Sequence, residues 1–223
     1  MAKVDQVPRM NRNSLPDFTQ LISNIQEEPD LGGTSTLTFR FNHPNPRLLN
    51  FLYVAIQEHV ETYAVEYVVY HVTQGCRTPE GLAHRIGLVP LKANSVRLDE
   101  TGYMKERLDI TAGDAHRPVY ARDVDLPWVS GDEILIVLAP GERLVADLIV
   151  KAGTGAQHMK WRPICQWHTP KEVKVGDQVV GYEVTCTNIG QLPGTDILRT
   201  GVEKMFLVYD RKPESIYNKL AEP

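Results

Sequence analysis

Residues 193–209 read PGTDILRTGVEKMFLVY, and this stretch decides how the rest of the chain is organised. After Pro193-Gly194, Thr195 or Asp196 is placed to cap a helix. Leu198, Val202, Met205 and Tyr209 then recur at steps of 4, 3 and 4, which draws one apolar stripe down that helix. Ile197, Phe206 and Val208 widen the stripe beyond what a surface helix needs. A second helix of the same kind is encoded far upstream. Asn45-Pro46 supplies an Asn cap and a proline at the first helical position, where no backbone N–H is required. The helix should run to about Glu61, with Leu48, Leu49, Leu52, Ala55, Ile56 and Val60 on a wide apolar face.

Strands are expected between these helices. Thr34–Asn42 alternates Leu37, Phe39 and Phe41 with Thr36, Thr38 and Arg40, the pattern of a strand with one buried face. Tyr63–Val72 is rich in Val and Tyr and reads as extended. Gly75–Leu91 forms a compact turn element, and Lys92–Pro127 is polar and irregular. Ile134–Leu138, Pro140-Gly141 and Leu144–Val150 read as a hairpin. Lys151–Pro170 reads as a loop, and Lys174–Gly190 holds a strand pair near Val179. Residues 1–30 mix prolines with acids and amides and are expected to form a flexible arm. Bringing the two helices together makes an α+β fold: a discontinuous dimerisation domain of two long helices on a small antiparallel sheet (31–62 and 171–223), with a mainly-β domain (63–170) inserted. Two helices this apolar are either core helices of a single chain or surplus surface for a partner.

Composition narrows the function. The chain has 223 residues, 42% of them hydrophobic and 23% charged, with 24 Lys+Arg against 28 Asp+Glu and a net charge of −4. That is globular composition with no bulk attraction for phosphates. Three widely spaced cysteines make no disulfide framework and suit a reducing compartment. The longest aliphatic run, Ile134–Ala139, is too short for a membrane span, and no secretory h-region is evident, so an intracellular protein is expected.

Familiar catalytic motifs do not appear: neither a Walker A loop nor a nucleophile elbow, an HExxH or a paired CxxC is present. Gly153-Thr154-Gly155 has two glycines of a dinucleotide fingerprint, but His158 stands where the third belongs and Pro163 breaks the helix that should follow. His158, Cys165 and His168 form a metal candidate lacking an evident fourth ligand. The same three residues also read as a packed thiol and two hydrogen-bonding imidazoles. A metal-dependent enzyme built on them, or a homodimeric binding module, are the alternatives to a pure scaffold.

Several segments share a resemblance. Gly81–Leu91 (GLAHRIGLVPL) resembles the LAHRLGLIPL element of the alpha-like subunits of multisubunit RNA polymerases. That family comprises the archaeal alpha-like subunit, the eukaryotic third-largest subunit and, more distantly, the bacterial alpha amino-terminal domain. Asn50-Phe51-Leu52 through Tyr63-Ala64-Val65 occupies the spacing of the family's first helix and strand. Val119–Asp123 resembles its VYSxDL segment, and Gly153–Pro163 (GTGAQHMKWRP) its GxGxxHAKWxP loop. The resemblance covers about Thr34 to Tyr209. It implies a non-catalytic assembly platform of a DNA-directed RNA polymerase. Leu48, Leu52, Ile56, Leu198, Val202, Met205 and Tyr209 would form a heterodimer seam with a smaller alpha-like subunit. His84, Arg85, Lys160 and Trp161 would dock the second-largest catalytic subunit, although Trp161 reads equally well as a core residue. Small accessory subunits are further possible partners, DNA would be met only through the holoenzyme, and no membrane contact is implied. The resemblance implies no catalytic residue, cofactor or metal on this chain, the holoenzyme's magnesium being held by other subunits. The chain departs from the family at Tyr53-Val54, where the pattern has Arg-Arg, and Leu98–Asp125 lacks the cysteines of a zinc loop.

Overall fold

A computed structural model describes residues 18–211, with side chains as far as Met205. In chain order it holds helix α1 (Phe18–Leu21), strands β1 (Ile22–Pro29) and β2 (Ser35–Phe41), helix α2 (Pro46–His59), strand β3 (Glu61–Thr73) and helix α3 (Pro79–Leu88). Strands β4 (Tyr103–Thr111), β5 (Arg117–Tyr120), β6 (Ile134–Leu138), β7 (Arg143–Thr154), β8 (Ile164–Trp167), β9 (Lys171–Val175) and β10 (Gln178–Asn188) follow, and helix α4 (Gly194–Arg211) closes the series. The fold is α+β.

The alternation read in β2 is realised in full. Leu37, Phe39 and Phe41 are wholly buried, while Thr36, Thr38 and Arg40 line the other face. β2 pairs antiparallel with β1 on one side and with β10 on the other, and β10 also pairs with β8 and β9. One sheet is therefore assembled from both ends of the chain. α2 and α4 lie on its apolar face and on each other, and Leu52, Ile56, Leu198 and Met205 complete a core with the β2 side chains. The Asn45 cap forms as read, its side chain accepting from the Arg47 amide at 2.9 Å with Pro46 in the first turn.

The middle of the chain builds a second core. β7 is the centre of a three-stranded antiparallel sheet, flanked by β3 and β4, and β5 pairs with β6 as a separate ribbon. Leu82 and Ile86 of α3 pack with Leu108, Leu144 and Leu148 of the sheet and Leu135 of the ribbon.

Four expectations change. Residues 22–29 are not an arm but an edge strand, β1; its Ile22 joins the first core, and its alternation is obscured by Asn24, Gln26 and two glutamates. Residues 1–17 lie outside the described residues. The hairpin of Ile134–Leu138 with Leu144–Val150 does not form, although both strands do. β3 and β4 pair with β7 over eleven and nine residues, where β6 has only five to offer, and take both its edges. Lys92–Pro127 holds β4 and β5, and Lys151–Pro170 holds the end of β7 and β8 rather than loop alone. The helix capped in the sequence by Thr195 or Asp196 instead starts at Gly194, whose amide donates 2.9 Å to the Glu27 carboxylate of β1.

Candidate functional site

The helix pair comes first, because the dimerisation residues were expected on it. Leu48, Leu52, Ile56, Leu198, Val202 and Met205 are all buried within this chain, at 0–7% exposure. The Tyr209 side chain lies outside the described residues. α2 and α4 lean on each other above the sheet, so these six side chains form no open seam. Gly201 sets how closely they lean. A Cβ there would sit 2.5 Å from Ile56 Cγ1 and 3.4 Å from Leu52 Cδ1, so only glycine permits this approach. A lone glycine within a helical pattern is the one signal of that contact in the sequence. The outward stripe of the pair is mixed: Phe51 and Val54 are half-buried on α2, while Thr195, Arg199 and Glu203 are solvent-facing or nearly so on α4.

The expected docking residues divide. His84 and Arg85 of α3 are exposed, and Arg85 Nη1 donates 3.0 Å to the Leu135 carbonyl of β6. The His84 ring lies 6.4 Å from the His158 ring, edge to face. Lys160 and Trp161 turn inward. Lys160 Nζ pairs with Glu66, donates 3.1 Å to the Val65 carbonyl and lies 4.5 Å above the Trp161 ring. Trp161 is 3% exposed and lies against Gly153, where a Cβ would meet its Cε2 at 2.3 Å. At Gly155 a Cβ would meet the Gln57 carbonyl at 1.8 Å. The two glycines of the apparent dinucleotide fingerprint thus serve close packing: one admits the indole and the other the end of α2. Trp161 is a core residue, and Lys160 is already paired.

Around Trp161 the turn is held by side chains that carry no motif in the sequence, and one of them, Gln191, reaches it from just past the end of β10. Thr62 Oγ1 donates 2.8 Å to the Trp161 carbonyl. Gln57 Nε2 donates 3.0 Å to the Ile164 carbonyl, and Gln191 Nε2 reaches the Tyr63 and Lys160 carbonyls at 3.4 and 3.3 Å. All three side chains are buried, where an unpaired carbonyl is costly. A second seam runs through Gly33 and Gly190, both at positive φ. A Cβ on Gly190 would meet the Gly33 carbonyl at 2.2 Å and Val129 Cγ1 at 2.7 Å.

The metal candidate is not assembled. His158 Nδ1 accepts from the Lys160 amide at 3.1 Å, and Cys165 Sγ lies 3.6 Å from the Thr187 carbonyl. No group of three His, Cys, Asp or Glu side chains placed to hold a metal occurs among the described residues. Burial pushes the Cys186 thiol up to about 12, so it stays protonated at neutral pH. No described helix is long and apolar enough to cross a membrane.

The molecule is thus a helix pair on a two-ended sheet, tied to a second core through an HMKWRP turn. No protein-family model matches the chain. It is 29% identical over 136 residues to DNA-directed RNA polymerase subunit Rpo3 of Pyrococcus horikoshii, covering 57% of this chain and 52% of that protein. It is 30% identical over 122 residues to the same subunit of Pyrococcus furiosus, covering 51% and 47%. A conjugation stage-specific protein of Tetrahymena thermophila is 26% identical over 164 residues, with 53% and 50% covered. The chain spans about half the length of the curated relatives it matches. Over that span the chain is similar to the archaeal Rpo3 subunits of DNA-directed RNA polymerase.

Proposed function

We propose that this chain is a non-catalytic assembly subunit of a DNA-directed RNA polymerase, acting where transcription occurs. It heterodimerises with a smaller alpha-like subunit and recruits the second-largest catalytic subunit, and the holoenzyme's magnesium belongs to other chains. The observation that carries this reading is the sheet closed from both ends of the chain, with α2 and α4 packed side by side on it. That arrangement supports a discontinuous dimerisation domain with a mainly-β insertion, the insertion ending near Pro163 because Ile164 packs in the first core.

In this reading Leu48, Leu52, Ile56, Leu198, Val202 and Met205 hold the helix pair rigid instead of touching the partner. The partner meets the outward stripe, with Phe51 and Val54 as its apolar contacts. His84 and Arg85, exposed on α3, remain the residues offered to the large subunit. Lys160 and Trp161 shape the turn beside them, so they position this surface and do not contact the partner. Co-expression with the smaller alpha-like subunit of the same genome tests the proposal. A 1:1 complex by light scattering is expected, weakened by Val54→Asp in a chain that still folds. A monomer indifferent to that subunit, or a stable homodimer, would overturn it.

A further inference from the structure

The inner face of the β3-β7-β4 sheet carries Leu108, Leu144 and Leu148 against α3, so the alternate side chains of the same strands point away from that core. Two cross-strand rows define the outer face. Tyr67, Ile149 and Lys105 form one, and Val69, Asp147 and Arg107 the next. Along the strands, the β3 column is apolar and open, with Tyr67 at 51% and Val69 at 44% exposure. The β4 column is basic, with the Lys105 and Arg107 side chains 61% and 58% exposed. Between the columns Asp147 is nearly buried and accepts from Lys105 at 2.9 Å and from His71 at 2.8 Å, with Arg107 3.9 Å away. That carboxylate holds the basic column in place. The face is thus locally basic on a chain of net charge −4.

We propose that this face docks an acidic amphipathic α-helix of a partner protein, its apolar stripe on Tyr67 and Val69 and its carboxylates over Lys105 and Arg107. The dimensions match. Two strand spacings separate the columns by about 10 Å, which is about the width of one helix with its side chains. Along each column the two residues are about 7 Å apart, close to the roughly 6 Å rise between positions i and i+4 of a helix. A phosphate backbone fits less well: the Asp147 carboxylate interrupts the basic track, and half of the face is apolar. The surface lies on the opposite side of the sheet from α3 with its His84-Arg85 pair, so it goes beyond the assembly contacts proposed above and does not depend on them.

The test is fluorescence anisotropy of the full chain with a labelled 18-residue helical peptide carrying leucines at i, i+4 spacing and glutamates along one flank. Two controls are the same peptide with every Glu replaced by Gln, and an 18-nucleotide oligothymidylate. Saturable binding of the Glu peptide is expected, weakened about tenfold or more by the Lys105→Gln/Arg107→Gln double variant and by Tyr67→Ser. Tyr67 stands outside the Asp147 network, so Tyr67→Ser decides the matter if the charge variant is unfolded by circular dichroism. Failure to bind, equal binding of the Gln peptide, preference for the oligonucleotide, or unchanged binding by Tyr67→Ser would each overturn the proposal.

Discussion

Gly201 sets two effects against each other in a single side chain. Glycine in a helix interior costs about 1 kcal/mol relative to alanine, so Gly201→Ala would be stabilising if only helix propensity acted. The added Cβ, however, falls 2.5 Å from Ile56 Cγ1, on a branched side chain with no exposed surface into which to retreat. Overpacking of that kind costs about 1–3 kcal/mol. The clash wins, and Gly201→Ala is expected to lower the urea midpoint by a net ~1 kcal/mol of stability with the m-value unchanged. A gain in stability would mean that α2 and α4 are not in this contact. Asp147 makes a residue-scale prediction of a different kind. Hydrogen bonds from Lys105 first, then from His71, outweigh desolvation and hold its carboxyl down to about 2. A depressed carboxylate contributes stability above its unfolded value, and that contribution is lost as pH falls toward 2. Asp147→Asn should therefore lower Tm at pH 7, with the difference closing between about pH 4 and pH 2.

Elements were legible in the sequence where their signal is local. β2 announced itself by strict alternation, and α2 by an Asn cap, a proline and an apolar face, because each of those causes lies within a few residues. β1 was hidden because a strand at a sheet edge needs few buried side chains, and its Glu27, Glu28 and Pro29 resemble a tail. The pairing of β7 was hidden because register with β3 and β4 depends on segments dozens of residues away. The start of α4 shows the same limit, since its cap comes from another element. Glu27 accepts from Ser35 Oγ at 2.6 Å, from Asn188 Nδ2 at 2.8 Å and from the Gly194 amide at 2.9 Å. Burial pushes this carboxyl up, but those three donors outweigh it and leave it below the ordinary glutamate range. The ion stabilises the first turn of α4 and ties β1 to it, and as a lowered carboxylate its contribution is lost as pH falls through the acid range. Glu27→Gln is expected to cost about 1 kcal/mol at pH 7, the size of a lost helix cap. The difference should shrink below about pH 4 in thermal melts of the two proteins. A difference independent of pH would assign the effect to packing and not to the charge.

At the scale of the whole molecule the question is what joins two cores with separate sheets. Their own interiors do not mix: Leu52, Ile56 and Leu198 belong to one, Leu108, Leu144 and Leu148 to the other. What joins them is the Trp161 turn and the glycine seam at Gly33 and Gly190. The sequence displayed the HMKWRP string but could not say which way its tryptophan points; burial of Trp161 against Gly153 and the inward turn of Lys160 toward Glu66 are products of the fold around them. Gln191 is the side chain most open to test, because it bonds to both the Tyr63 carbonyl of β3 and the Lys160 carbonyl of the turn. Replacing it with alanine leaves two carbonyls without this side-chain donor at a buried seam. That costs about 2–3 kcal/mol. More tellingly, the loss falls on the coupling between the cores and not on either core. Gln191→Ala should therefore convert a single calorimetric transition into two, with the van't Hoff enthalpy dropping below the calorimetric one. The helix-pair core, which draws on both ends of the chain, is expected to melt first, because its closure requires the chain to return across the whole intervening sheet. A Gln191→Ala protein that still unfolds in one step, at a lower temperature but with matched enthalpies, would show that the glycine seam alone is enough to make the two cores one cooperative unit.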